Sequence, residues 1–189
     1  NMADKLTIDQ KLNGSENIRW DLNDLFNGIG DPKINETLAL SSDRAVAFTR
    51  KYKNNVINLT PIELNQAFTE LIEVYEPIYR VHQFSSLSLS TNTSDDEIKA
   101  LSSKIDEVLS SISNKILFFN LELAERKDLE SLENLPELED FKYNLNQIYK
   151  TKKHNLSEKE EQLLNLKSLT GKNAFKKLYS EFTSSFTFK

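Results

Sequence analysis

The sequence predicts an all-α fold, a multi-helix bundle of long antiparallel helices with a short strand at the C-terminus. Apolar residues recur in steps of three and four along most of the chain, which is the period of an amphipathic helix. Only 4 Gly and 4 Pro occur in 189 residues, so few helix breakers interrupt the pattern. Three segments also have the Ser/Thr-x-x-Glu spacing of a capping box, which marks helix starts.

The first predicted helix begins at Asp31 and Pro32, because Asp is a favoured N-cap and Pro suits the first helical position. It ends at Asn54 and Asn55. Its apolar stripe alternates steps of four and three, which keeps one face against a partner helix. The stripe is Ile34, Leu38, Ser41, Ala45, Phe48 and Tyr52.

The second predicted helix starts with a capping box formed by Thr60 and Glu63. Pro77 lies inside the apolar pattern, where it removes a backbone donor and is expected to bend the helix. Several serines weaken its end. The stripe consists of Leu64, Phe68, Leu71, Tyr75, Ile78, Val81 and Leu89.

The third helix has the strongest pattern in the chain. Ser94 is the predicted N-cap and Glu97 completes its capping box. Continued to Arg126, it would be ~48 Å long at 1.5 Å per residue. Extra apolar residues beside the stripe predict a central helix that is contacted on more than one side. The stripe is Ile98, Leu101, Ile105, Val108, Ile112, Ile116, Phe119 and Leu123.

Shorter helical segments follow. Residues 129–135 are expected to form one or two helical turns, and residues 136–153 have an apolar face and a basic end that suits the helix dipole. Ser157 and Glu160 form the third capping box. Gly171 interrupts the helix that begins there, and helical spacing then resumes. The resumed stripe is Ala174, Phe175, Leu178, Tyr179 and Phe182.

The two ends differ from the helical body, which we place at residues 19–182. Residues 1–18 are polar and aperiodic, as in a flexible arm, and Asn1 before Met2 suggests a remnant of an expression tag. Trp20 is expected to pin this arm to the body. Residues 183–189 alternate polar and aromatic side chains, which predicts the start of a strand from a truncated hairpin that leads to an absent domain.

Composition excludes several classes of function. The chain has no cysteine, which rules out a disulfide framework, a thiolate metal site and a cysteine nucleophile, and fits a reducing, cytoplasmic location. The net charge is -5 and the pI about 5.2, without a basic cluster, so no nucleic-acid partner is expected. No apolar run approaches the ~18 residues of a membrane span, so no membrane partner is expected either.

No catalytic or metal-binding residue is predicted in this chain, and its substrate-binding residues stay unknown. His82 lies at helical spacing without a second ligand nearby, so we interpret it as a structural histidine. His154 and Glu158 together supply two ligands, whereas a catalytic zinc site needs three and a water. Acidic clusters fall at helix starts or on exposed faces, where the dipole or solvent explains them. They are Asp95, Asp96, Glu97, Glu122, Glu125, Glu158, Glu160 and Glu161.

An ordered set of motifs over residues 18–188 resembles the N-terminal region of the oligoendopeptidase F family, relatives of thimet oligopeptidase. The longest of these motifs lie near the C-terminus, at residues 153–161 and 167–179. The set is Trp20–Phe26, Asp31–Ile34, Phe48–Tyr52, Ser88–Asp95, Leu117–Leu123, Lys153–Glu161 and Lys167–Tyr179.

The resemblance implies a zinc metallopeptidase that hydrolyses short peptides. In the family, the His-Glu-x-x-His helix belongs to a C-terminal catalytic domain, so the zinc cofactor and the catalytic residues would lie outside this chain and the fragment alone would bind no metal. The helices at 60–90 and 95–126 would form a wall of the channel that admits oligopeptide substrates. A stand-alone helical interaction module without catalysis is the alternative. In either case an apolar interface left uncovered predicts possible self-association of the fragment.

Overall fold

A computed structural model describes residues 21–92, 95–184 and 186 of the chain. Within these residues the fold is all-helical and contains no strand. Three short 3-10 turns, at Val56–Asn58, Pro136–Phe141 and Lys152–His154, join the helices. The α-helices are α1 (Pro32–Tyr52), α2 (Pro61–Thr91), α3 (Asp96–Ala124), α4 (Leu129–Leu132), α5 (Lys142–Thr151), α6 (Glu158–Thr170) and α7 (Lys172–Ser184).

Helices α1, α2 and α3 form the body of the bundle. Helix α1 is antiparallel to α2, since Arg44 donates to the Glu73 carbonyl at 2.7 Å while Lys51, seven residues later, pairs with Glu70 at 2.6 Å. Helix α2 is antiparallel to α3, since Tyr75 contacts Ser113 while His82, seven residues later, lies 4.0 Å from Asp106. The predicted antiparallel pairing is thereby found for successive long helices, and α3 lies against both of the others.

Aromatic side chains fill the centre between the three helices. The Phe48 ring lies 5.4 Å from that of Phe119 and 6.1 Å from that of Phe118, measured between centroids. Phe68 meets Phe119 edge-on at 5.3 Å. Such pairs add about 0.5–1.5 kcal/mol each to the energy of burial, so this cluster fixes how α1, α2 and α3 pack.

The local predictions for the long helices are largely confirmed. The buried residues of α1 are the six that the periodicity identified. The capping boxes of α2 and α6 form as expected, with Thr60 and Ser157 as N-caps. The N-cap of α3 is Asp95, not Ser94 as predicted, because the Asp95 carboxylate accepts from the amides of Glu97 at 2.9 Å and Ile98 at 3.1 Å. Ser94 itself lies outside the described residues.

Helix α2 continues from Pro61 to Thr91 with Pro77 inside it. The residues after Pro77 stay in the core, since Ile78 and Val81 are both fully buried. The predicted bend at Pro77 stays a prediction. Helix α3 ends at Ala124, two residues before the predicted Arg126.

Arg126, two residues after the end of α3, binds the α1–α2 connection. Its buried guanidinium donates through Nη1 to the carbonyls of Val56 at 3.1 Å and Leu59 at 2.7 Å. It also makes a two-point ion pair with Asp128, at 2.9 and 2.8 Å. A connection about seventy positions earlier in the sequence is therefore bound by a side chain that follows the end of α3.

The segment predicted as one helix over residues 136–153 is divided in three, with α5 between two 3-10 turns. Leu138 and Leu145 are fully buried, and Phe141 stacks on Phe68 of α2 at 4.6 Å. Leu138, Phe141 and Leu145 thus pack against the bundle although the segment is not one continuous helix.

Helices α6 and α7 form a C-terminal arm, residues 158–184, that runs antiparallel to α3. Asn165 donates to Asn114 of α3 at 2.8 Å, and Lys177 pairs with Asp106, earlier in α3, at 2.9 Å. The predicted interruption at Gly171 is confirmed. A Cβ at Gly171 would lie 2.9 Å from the backbone oxygen of Lys167, so the close approach at this break favours glycine.

The prediction of a strand over residues 183–189 is wrong at the residues of this segment that the structure describes. Helix α7 continues through Ser184, so the first residues of that segment are helical. The amide of Phe186 donates to the carbonyl of Thr183, and the Phe186 ring meets Phe182 edge-on at 4.8 Å. The spacing of four between these two rings also fits a helix, and a lone strand would have left its backbone groups unpaired. Residues 187–189 lie outside the described residues, as do the predicted arm at 1–18 and Trp20.

Candidate functional site

Residues 21–92, 95–184 and 186 contain no group of three or more His, Cys, Asp or Glu side chains placed to hold a metal ion. His82 is partly exposed on α2, with Nε2 4.0 Å from Oδ1 of Asp106, whose other oxygen binds Lys177. His82 therefore belongs to a polar contact between α2, α3 and α7. His154 is exposed in the last 3-10 turn, and the nearby Glu158 pairs with Lys53 at 2.7 Å.

Several of the acidic residues have structural partners. Ser157 donates to Glu160, and this hydroxyl together with the Ser157 amide lowers the pKa of the Glu160 carboxyl. Glu122 accepts from the backbone amides of Asn54 at 2.8 Å and Val56 at 3.1 Å. The sequence assigned Glu122 to an exposed face, and its contact with the α1–α2 connection emerges only from tertiary packing.

A groove of about 740 Å³ lies between α2 and α5, and it is the candidate binding site of the described chain. Its floor is the stacked pair of Phe68 and Phe141. Leu71 and Ile148 line it from opposite sides. Ile72, on the α2 side, keeps 55% of its surface exposed, so the groove presents apolar surface to whatever enters it.

Two tyrosines extend this surface along α2. The rings of Tyr75 and Tyr79, one turn apart, stack at 5.4 Å with an angle of 18° between their planes. Burial raises the pKa of Tyr75, whose hydroxyl shares a 3.4 Å hydrogen bond with Ser113 of α3. Tyr79 is half-exposed. Tyr75 thus forms part of the groove wall, and Tyr79 offers an aromatic face that is open to a ligand.

The rim of the groove is polar and mostly carries amides. Asn120 comes from α3, Asn144 and Gln147 come from α5, and the carboxylates of Glu76 and Asp140 lie at its sides. Within the described parts of the chain these five side chains make no hydrogen bond to other protein groups. Amide side chains can both donate and accept, as the backbone of an extended peptide requires.

The groove is therefore suited to a segment with apolar side chains and exposed backbone amides. Pockets of this kind combine apolar walls with a few polar groups that set orientation. Sequence reasoning did not identify it. The one available signal was the pair Ile72 and Tyr79, which are large, apolar and outside the buried stripe of α2, but single exposed residues of this kind are common on protein surfaces.

The fold and the groove define a helical domain with a surface for binding, and comparison with known proteins identifies the family it resembles. A family model described as "Oligopeptidase F", for the N-terminal part of the peptidase M3 family, matches residues 121–188. These residues include the end of α3 and all of α4 to α7. No solved structure matches the chain.

A curated relative, the oligoendopeptidase F homolog of Borreliella burgdorferi, is 26% identical over 152 residues. The match covers 79% of this chain and 25% of the relative, so the chain corresponds to about a quarter of that protein's length. The two findings confirm the resemblance to the N-terminal region of the oligoendopeptidase F family. No helix of the described residues is both long and apolar enough to cross a membrane.

Proposed function

We propose that this chain is the N-terminal helical domain of a zinc-dependent oligoendopeptidase that hydrolyses short peptides in the cytoplasm. The similarity to an N-terminal oligopeptidase F region carries the proposal. The metal and the catalytic residues would belong to the rest of the polypeptide. Among the described residues neither His82 nor His154 has two further metal ligands beside it, and a catalytic zinc site needs three protein ligands.

In this proposal the groove between α2 and α5 is the part of the channel wall that contacts substrate. An unfolded peptide can place an apolar side chain against Ile72 and Tyr79 while Asn144 and Gln147 bind its backbone. A folded protein has its backbone groups paired and its apolar side chains buried, so it offers neither partner. The groove would thereby favour oligopeptides by chemistry as well as by size.

The test uses the full-length polypeptide and a quenched fluorescent peptide. We expect turnover that a chelator abolishes and zinc restores. Replacing Tyr79 with alanine should raise KM about 2- to 10-fold and leave kcat nearly unchanged, because one aromatic contact contributes about 0.5–1.5 kcal/mol. The isolated 189-residue chain should show no turnover.

Tyr143→Ala is the matched control, because Tyr143 is a tyrosine of α5 that is 72% exposed and does not line the groove. It should leave both constants unchanged, and circular dichroism should show equal helix content in both variants. Equal KM values for Tyr79→Ala and the unsubstituted enzyme would refute the role of the groove. Absence of any metal-dependent cleavage would refute the proposed activity.

A further inference from the structure

Helix α7 presents its apolar side to water. Phe175, Leu178, Tyr179 and Phe182 follow one another in steps of three, one and three, which places them on a single face of the helix. Their exposed fractions are 72%, 59%, 71% and 62%. We call these four side chains the α7 face. Phe186, four residues further on, is 51% exposed and continues its line.

The opposite side of α7 holds the helix to the bundle through polar groups. Lys177 pairs with Asp106 of α3 at 2.9 Å and donates to Ser103 at 3.3 Å. In α6, Asn165 bonds to Asn114. An amphipathic helix on a globular domain normally turns its apolar stripe to the core and its charged side to water. Helix α7 has the reverse orientation.

The exposed area is large for a surface that faces water. An aromatic side chain can bury about 150–250 Å², so four large side chains exposed by about two thirds leave on the order of 400–500 Å² of contiguous surface. Patches of that size on monomers mark interaction sites in many cases. Covering this face would remove apolar surface from water, which favours a complex before the costs of ordering are counted.

The family match gives a second observation. It spans residues 121–188, which include the whole C-terminal arm, although no described side chain of residues 158–184 is buried. The region that the family model matches therefore includes the α7 face.

We propose that the α7 face is the docking surface for the part of the full-length polypeptide that lies outside this chain. The inference rests on the proposed function in one respect, that this chain is one domain of a longer protein. The matched relative is consistent with such an occupant, since three quarters of its length has no counterpart here. The partner surface would be apolar and nearly free of charge, because the α7 face offers no ion-pair partner of its own.

The size of the face favours a partner within the same polypeptide over a second copy of the chain. A stable complex between separate proteins buries about 800 Å² on each partner, roughly twice what the α7 face supplies. A tethered domain needs less, because the linker holds it at a high effective concentration and the loss of translational freedom has already occurred. Contacts between domains of one chain often fall in this smaller range.

Single cysteines provide the test, since the 189-residue chain contains none. Leu178→Cys probes the α7 face, and Lys176→Cys, exposed on the side of the same helix, is the control. Each variant is labelled with a maleimide as the 189-residue chain and as the full-length polypeptide, and modification is followed by peptide-resolved mass spectrometry. We expect Cys at position 178 to react at least 10-fold more slowly in the full-length polypeptide, while position 176 reacts at similar rates in both.

Phe182→Cys gives a second probe of the face in case the change at Leu178 weakens docking. Hydrogen exchange of residues 172–184 in the unsubstituted proteins needs no substitution and should show slower exchange in the full-length polypeptide. Equal reactivity of the face in both proteins would overturn the proposal. Protection that depends on protein concentration would also overturn it, since a second copy would then be the occupant.

Labelling needs neither metal nor turnover, so this experiment is independent of the activity assay. A protected face in a polypeptide that cleaves no peptide would refute the proposed activity and leave the docking surface standing. Metal-dependent cleavage with a freely reactive face would refute the docking surface alone.

Discussion

Arg126 provides the sharpest test of how the tertiary structure is held together. Its side chain is 7% exposed. Its Nη1 group donates to the carbonyls of Leu59 and Val56. The Val56 carbonyl also accepts from the Leu59 amide, whereas the Leu59 carbonyl has Arg126 as its donor. Replacing Arg126 with methionine keeps an apolar stem of similar length and removes every donor. The Leu59 carbonyl then loses its partner within the described residues, while the Val56 carbonyl keeps one.

The expected loss follows from these bonds. An unsatisfied buried carbonyl costs about 1–3 kcal/mol, and the second lost bond about 0.5–1.5 kcal/mol. The ion pair with Asp128, half-exposed on the aspartate side, adds at most ~1 kcal/mol. Methionine avoids the desolvation of a buried charge, which offsets part of the total. We therefore expect Arg126→Met to lower the free energy of unfolding by about 2–4 kcal/mol.

Urea unfolding followed by circular dichroism at 222 nm measures this change. The midpoint should fall without a change in slope, because the same surface is exposed on unfolding. Lys127→Met is the control, since Lys127 is the exposed neighbour, and it should shift stability by no more than about 0.5 kcal/mol. A loss below about 1 kcal/mol for Arg126→Met would refute the view that this guanidinium holds the α1–α2 connection.

Three further changes test other parts of the fold. Glu122→Ala should cost about 1–2 kcal/mol in urea unfolding, since two backbone amides of the α1–α2 connection lose their acceptor. Gly171→Ala should lower the thermal midpoint, because its Cβ would lie 2.9 Å from a backbone oxygen, whereas Gly30→Ala, with nothing within 4 Å, should not. The N-cap amide lowers the pKa of Glu63 and the N-cap hydroxyl lowers the pKa of Glu160, both from an ordinary value of 4.5. The stability that these two carboxylates contribute is complete above that value and is lost as pH falls through their lower pKa in the folded protein. The urea midpoint should therefore drop between about pH 5 and pH 3. A midpoint constant over that range would contradict the capping role of Glu63 and Glu160.

Much of the fold could be predicted from local signals. The buried set of α1 was identified residue by residue, because a stripe at steps of three and four can be covered only by a neighbour on one side. The starts of α2 and α6 followed from capping boxes, which are satisfied within four residues. At α3 the prediction named Ser94 as the N-cap, but Asp95, the next residue and also a good capping residue, takes that position.

The end of the chain shows where local signals mislead. Polar and aromatic residues alternate after Thr183, and this pattern favoured a strand, although Phe182 and Phe186 are also spaced for a helix. A strand needs a pairing partner, whereas a helix satisfies its backbone groups internally. Without a second strand among the described residues, helix α7 continues to Ser184.

The candidate site was beyond sequence reasoning for a different reason. The groove joins Ile72 and Tyr79 of α2 to Asn144 and Gln147 of α5, residues about seventy positions apart. Periodicity shows that a face is apolar or polar, but it does not show which other element lies beside it. The same reason explains why Glu122 was assigned to solvent although it accepts from two amides of a distant connection.

The sequence by itself determined the helical class, the starts of α1, α2 and α6, the buried stripe of α1 and the family resemblance, because each depends on residues that are near neighbours along the chain. The tertiary structure decided the position of the groove, the burial of Arg126 and the outward orientation of α7. In α7 the periodicity was found correctly, but a stripe specifies only that a face is apolar. The outward orientation of this face depends on which side of α7 meets α3, and the Lys177–Asp106 contact on that side spans 71 positions of the chain.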